Sequence, residues 1–301
     1  MTLIMGSLQL GIMYGLLAMG VFVSFRILNT PDLTAEGSFT LGVAVSAMVT
    51  LAGFPFLGLL AAFVCGMAAG FVTGLMQTRI GIHPILAGIL TMSGLYTVNL
   101  AVMGASSNVS LIGVDTLFRR LFALLRPMSK DLVKLLAGAA LTCLILALLV
   151  WFFKTHVGLC IRATGDNEAM VRSSSINSAR MKMLGLAVSN GCIALSGAVI
   201  AQYQGYADIS SGIGILVVGL ASVIIGEAFF GRRGVALGLI SAVAGSVIYR
   251  VIISLALSTN VFPTYFLKLI SAVIVAAAMS LPTLKANLRT RRVRGRERRH
   301  A

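Results

Sequence analysis

The chain has 301 residues, of which 58% are hydrophobic and only 11% charged, against about 25% charged in an ordinary soluble domain. That balance excludes a soluble enzyme or binding domain and leaves an all-α polytopic membrane protein. The net charge of +15 does not mark a nucleic-acid binder. Eight of the 24 Lys and Arg stand in the tail Lys285–Arg299, KANLRTRRVRGRERR, and most others stand in short loops, the distribution that the positive-inside rule produces.

About twenty apolar residues are needed to cross the ~30 Å hydrocarbon layer as a helix. On that rule the chain reads as nine spans, within a range of about eight to ten: Leu3–Phe25, Gly37–Leu51, Phe54–Met76, Pro84–Met103, Leu132–Phe153, Met183–Tyr203, Ile213–Phe230, Val235–Ala256 and Thr264–Leu281. The first has no basic leader and no cleavage signal, so it reads as an uncleaved span. His83 before Pro84 marks a helix start. The transmembrane domain is expected over 1–284, and a basic cytoplasmic tail over 285–301. The tail is also placed to touch anionic lipid.

The basic loops set the orientation. Segment 154–182, Arg232–Arg233 and the tail all go to the cytoplasm, and counting back puts the N-terminus outside. Ser106–Asp131 resists this, because it carries Arg119, Arg120, Arg126 and Lys130 yet falls outside. Its pattern of Leu117, Phe118, Leu121, Phe122, Leu124 and Leu125 between arginines predicts an amphipathic helix at the interface.

A short internal repeat is present. Tyr14-Gly15-x-x-Ala18 with Asp32-Leu33 aligns with Asn190-Gly191-x-x-Ala194 with Asp208-Ile209 at an offset of 176, and Gly37 and Leu41 then match Gly212 and Leu216. An odd number of spans separates the copies, so they are inverted across the membrane. Inverted repeats with a broken helix in each half place a substrate path at the repeat interface. Asp32, Glu36 and Asp208 are carboxylates at span edges, where they either cap helices or line that path. Asn99 and Gln202 are buried polar candidates for the same path or for helix–helix bonds. Glu227, in an apolar span, is expected to pair with Arg232 at the cytoplasmic edge.

The polar stretch Gly158–Asn177, GLCIRATGDNEAMVRSSSIN, stands alone between apolar spans. Asp166 or Asn167 is placed to cap a short helix. Glu168 suits its N-terminus and pairs with Arg172 at i,i+4. Met170 and Val171 are expected to face a cytoplasmic partner.

This stretch resembles the cytoplasmic coupling loop of ABC importer permeases of the branched-chain amino acid and ribose type, whose pattern runs G…RA-x-G-x-N…AA…G-I-N. Arg162, Ala163, Gly165, Asn167, Ala169 and Asn177 carry the resemblance, with Asp166, Glu168, Met170 and Arg172 inside the same loop (158–180). Val171 and Ser175 stand where Ala and Gly are more usual. NTPDLTAEGSFTLG (29–42) resembles the family's broken second helix, and HPILAGILT (83–91) and GLASVIIGEAFFG (219–231) also match. The resemblance covers the chain to about Leu284. The wording LTAEGSF and IIGEAFFG is most similar to the tryptophan/tyrosine-uptake subgroup.

The resemblance implies a permease subunit in a bacterial plasma membrane that does no chemistry of its own. Two permease subunits, identical or paralogous, enclose the path; cytoplasmic ATPases holding ATP and Mg dock on the loops; an external or periplasmic protein delivers an amino acid. The chain itself has no GxxxxGK[ST] loop, no HExxH and no CxxC pair, so no cofactor or metal is expected in it. An ion-coupled secondary carrier, with its coupling site among Asp32, Glu36 and Glu227, is the alternative.

Overall fold

The computed structural model describes residues 2–124, 129–231 and 234–258, with three further helical positions at 272, 273 and 276. The described chain is a bundle of helices with one two-stranded ribbon at its edge. In chain order the helices are α1 (Thr2–Phe22), α2 (Thr34–Leu51), α3 (Pro55–Leu75), α4 (Pro84–Val102), α5 (Leu117–Leu124), α6 (Lys130–Phe152), α7 (His156–Asp166), α8 (Glu168–Ser173), α9 (Ser178–Gln204), α10 (Ile215–Phe230) and α11 (Gly234–Ser258). Wider π-turns extend α1 over Val23–Ile27 and α3 over Met76–Ile80. Strands β1 (Asn108–Ser110) and β2 (Tyr206–Asp208) pair antiparallel, with Val109 opposite Ala207.

Among the described residues, seven helices are long and apolar enough to cross a membrane, and α10 is a shorter apolar helix. These eight fall on the first eight expected spans. Of the ninth, Thr264–Leu281, only positions 272, 273 and 276 are described, and the tail lies outside the described residues. Helix starts follow local chemistry. Pro55 and Pro84 open α3 and α4 at positions where the missing N–H is no loss. Asn177 caps α9 by accepting the Arg180 N–H at 3.0 Å.

The core sits where α1, α2, α3 and α9 meet, with α4 and α6 at the periphery. Their apolar outer residues, such as Leu86, Leu90, Leu144 and Leu148, are exposed, as a lipid-facing surface requires. Lipid gives no hydrophobic drive to helix pairing, so small residues and polar links do that work. Gly42 shows the scale: a Cβ there would stand 1.9 Å from the Ala194 carbonyl oxygen, so α2 and α9 meet backbone to backbone. Ser189 donates to the Gly20 carbonyl at 2.8 Å, Ser196 to Met13 at 3.1 Å and Ser246 to Gly11 at 2.7 Å. Each such link contributes about 0.6 kcal/mol in a membrane bundle.

The 106–131 segment holds β1 and α5. The ribbon to β2, which follows α9, puts it at the end of the bundle opposite α7 and α8. The amphipathic reading holds for α5, whose Leu117 and Phe118 are buried. Its arginines serve the fold at that end: Arg120 donates to the Gly53 carbonyl at 2.7 Å, and Arg119 to the Gly113 carbonyl at 3.0 Å. That use accounts for arginines on the side where the charge rule did not expect them.

Candidate coupling surface and substrate path

The polar island is two helices, where one capped helix was expected. Thr155 caps α7 by accepting the Gly158 N–H at 3.3 Å. Asn167 then leaves the helical region, with φ −154° and ψ 96°, and its Oδ1 accepts the Met170 N–H at 3.1 Å to cap α8. Of the two expected caps, Asn167 is the one used, and Asp166 is the last residue of α7. Glu168 holds the unit together. It accepts from Arg172 at 2.8 Å and from Lys182 of α9 at 2.6 Å. These two cations hold its carboxyl below the usual glutamate value, Lys182 contributing most.

Ala163, Ala169, Met170 and Arg172 are exposed on this unit, and Met170 is 67% exposed. Val171 corrects the expectation, since it is only 4% exposed and belongs to the interior beneath α8. Gly165 faces inward. A Cβ on it would stand 1.8 Å from the Ile27 carbonyl oxygen, so α7 lies directly on the π-turn that ends α1. An open cleft of about 390 Å³ beside this contact is lined by Arg26, Asn29, Arg162, Asp166 and Glu227 among others. Within it Glu227 accepts from Arg26 at 2.5 Å. The expected partner Arg232 lies outside the described residues, and Arg26 is a partner that sequence reading did not name.

After α1 the chain turns through Asn29, in the left-handed region at φ +51°, and dives back into the bundle. Asp32 is 1% exposed. Its Oδ1 accepts the Thr34 N–H at 2.9 Å and its Oδ2 accepts from Asn190 in the middle of α9 at 2.6 Å. Thr34, Thr73 and Thr91 continue the network across α2, α3 and α4 at 2.8 and 3.0 Å. The second helix therefore starts deep in the bundle, as a broken helix does.

The five path candidates separate into four places. Glu36 and Asn99 line one cleft of about 350 Å³, with Tyr96 and Ile213 at it. Asp32 is enclosed in the network just described. Gln202 is a structural tie: it accepts the Leu117 N–H at 2.9 Å and donates to Ser46 and the Pro55 carbonyl, each at 3.0 Å. Asp208 caps a turn by accepting from the Ser210 N–H at 2.7 Å and the Ser210 hydroxyl at 2.8 Å. It also lines a cavity of about 160 Å³ with Tyr14, whose ring carries Arg250 3.8 Å from its centroid.

The repeat is visible in these contacts. Asn190 of the second copy bonds Asp32 of the first, and Tyr14, the equivalent of Asn190, shares a cavity with Asp208, the equivalent of Asp32. α1 ends beside α7 while α9 begins there, so the copies run in opposite directions.

The profile of the family described as "Branched-chain amino acid transport system / permease component" matches residues 3–278. The chain belongs to that family. A tyrosine transport system permease protein of Clostridioides difficile is 35% identical over 290 residues, covering 96% of this chain and 94% of the relative. The D-allose transport system permease protein AlsC of Escherichia coli is 27% identical, covering 89% and 79%. An autoinducer 2 import system permease protein, LsrC of Yersinia enterocolitica, is 27% identical, covering 79% and 64%. No solved structure matches. The chain is thus a multi-pass membrane permease subunit of an ABC-type importer for a small solute. In this branched-chain-type permease α8 presents the exposed Ala169, Met170 and Arg172, while Gly165 of α7 faces the Ile27 carbonyl.

Proposed function

We propose that this permease imports an amino acid with an aromatic or other hydrophobic side chain, driven by ATP hydrolysis in a separate subunit. The substrate class rests on the similarity to a tyrosine transport system permease over nearly the whole chain. A pair of these subunits, identical or paralogous, would enclose the path in a bacterial plasma membrane, with the C-terminal tail in the cytoplasm. A substrate-binding protein would deliver the amino acid on the other side.

The observation that carries the mechanism is the seat of Gly165 on the Ile27 carbonyl. A cytoplasmic ATPase, holding ATP and Mg, receives Met170, Ala169 and Arg172. Arg162, Ala163, Asp166, Asn167 and Glu168 shape and hold the unit that it moves, and Asn177 anchors the unit to α9. Any displacement of α7 must move the end of α1, because no side chain intervenes to absorb it. The end of α1 leads within six residues to Asp32 and the buried start of α2. ATPase closure is in this way linked to two arrangements of α1 and α2 against α9, which is what alternating access requires.

The test is uptake of labelled tyrosine into proteoliposomes that hold the permease with its ATPase and binding protein. Uptake that needs internal ATP and survives an uncoupler supports the reading. Uptake that persists without ATP and collapses with the uncoupler replaces it with a secondary carrier.

A further inference from the structure

The cleft at Glu36 has a chemistry that the importer reading does not by itself supply. Asn99 is 1% exposed and donates through Nδ2 to the Gly37 carbonyl at 3.3 Å. That bond fixes which way the amide points. Its Oδ1 is then buried at the cleft with no donor in the described structure, and a buried acceptor left without a donor is costly and calls for a bound group. The Glu36 carboxylate lines the same cleft, and its Oε1 accepts the Gly214 N–H at 3.0 Å. Both side chains therefore offer acceptors. Among the described lining residues there is no Lys, Arg or His. The rest of the wall combines apolar Met92, Ile209 and Ile213 with the hydroxyl-bearing Thr40, Ser93 and Tyr96, and Tyr96 is 56% exposed.

We propose that this cleft binds the ammonium group of a permeating molecule that carries an apolar body, with Glu36 and Asn99 Oδ1 as its acceptors. The inference rests on the importer reading and goes further by naming the group that is read. An ammonium donates up to three hydrogen bonds and carries the charge that a carboxylate favours. A substrate carboxylate meets no Lys, Arg or His among the described lining residues, so it is placed pointing out of the cleft. The site consequently accepts a zwitterionic amino acid or a primary amine, and it rejects an acid without the amine. The cleft is also placed to change shape. A Cβ on Gly212 would stand 2.2 Å from the Glu36 carbonyl oxygen, so the turn before α10 lies against α2, and relative movement of the two opens or closes the site.

The experiment is a titration of the full chain in lipid nanodiscs, followed by saturation-transfer NMR, with four probes: tyrosine, tyramine, 3-(4-hydroxyphenyl)propanoate and ethanolamine. Tyrosine and tyramine are expected to bind, tyramine at least as tightly. The propanoate, lacking the amine, and ethanolamine, lacking the apolar body, are expected not to bind. Glu36→Gln keeps an acceptor for the Gly214 N–H and should weaken both amines about tenfold, the size of one lost charge-assisted contact. Glu36→Asp, which keeps the charge, should recover part of that loss. Equal binding of the propanoate, an unchanged Glu36→Gln variant, or no binding of either amine overturns the proposal. The importer reading fails separately, through ATP-independent uptake, which this titration does not measure.

Discussion

At the scale of single residues, backbone approach and buried polar groups carry the argument. Gly165 has no room for even a methyl group against the Ile27 carbonyl. Gly165→Ala is expected to cost about 1–3 kcal/mol through overpacking and to uncouple uptake from ATP hydrolysis. Thermal unfolding with paired uptake and ATPase assays checks both parts. Asp32 presents the opposite case, a carboxylate that depends on its donors. Asn190→Leu removes the contact at 2.6 Å and leaves a buried carboxylate short of a partner, so a loss of about 3 kcal/mol is expected. Asp32→Asn should be milder, because it removes the buried carboxylate while its Oδ1 still accepts the Thr34 N–H, although its Nδ2 meets the Asn190 donor. If the two variants unfold at the same temperature, the network is not what holds the start of α2.

At the scale of elements, the α7–α8 unit is held to the bundle by charge as well as by packing. Glu168 has its carboxyl lowered by Lys182 and Arg172, so the folded unit binds its proton more weakly than the unfolded chain does. The resulting stabilisation is present above the ordinary glutamate value of 4.5 and is lost as pH falls through the lower folded value. The exchange protection of α8, measured against the intrinsic rate at each pH, is expected to fall below about pH 4.5, and Glu168→Gln should abolish that dependence. The Arg26–Glu227 pair joins α1 to α10 in the same way. Arg26→Glu should impair uptake, and adding Glu227→Arg should restore it in part if the pair is the link. Neither Arg26 nor its role was legible in the sequence, because the two residues lie 201 positions apart and pairing at that distance has no local signature. Local features were legible. The cap of α8 was narrowed to Asp166 or Asn167 because such side chains reach their own following turn, the Asn177 cap was not read, and the amphipathic α5 follows from spacing alone. Val171 was misread because a six-residue helix cannot show from its sequence which side meets the bundle.

At the scale of the whole molecule, hydropathy located the spans because lipid imposes one length on every crossing helix. Among the described residues seven helices reach that length, and α10 is shorter. The path was only partly legible. Five polar residues had equal claim in the sequence, and only their surroundings separate them: Gln202 is fully engaged between α5, α2 and α3, Asp32 is enclosed, and Glu36 and Asn99 share an open cleft. The repeat added what composition could not, since the Asn190–Asp32 bond crosses between its two copies and the equivalent pair, Tyr14 and Asp208, lines one cavity. That arrangement makes sense as a transporter only if something moves α7 and α8. The most direct measurement is a mild-detergent purification of the tagged chain, with mass spectrometry of what accompanies it. A stoichiometric ATPase that is lost when Met170→Glu and Asn167→Ala are introduced together is the predicted result. A chain that purifies alone and still transports would contradict the account.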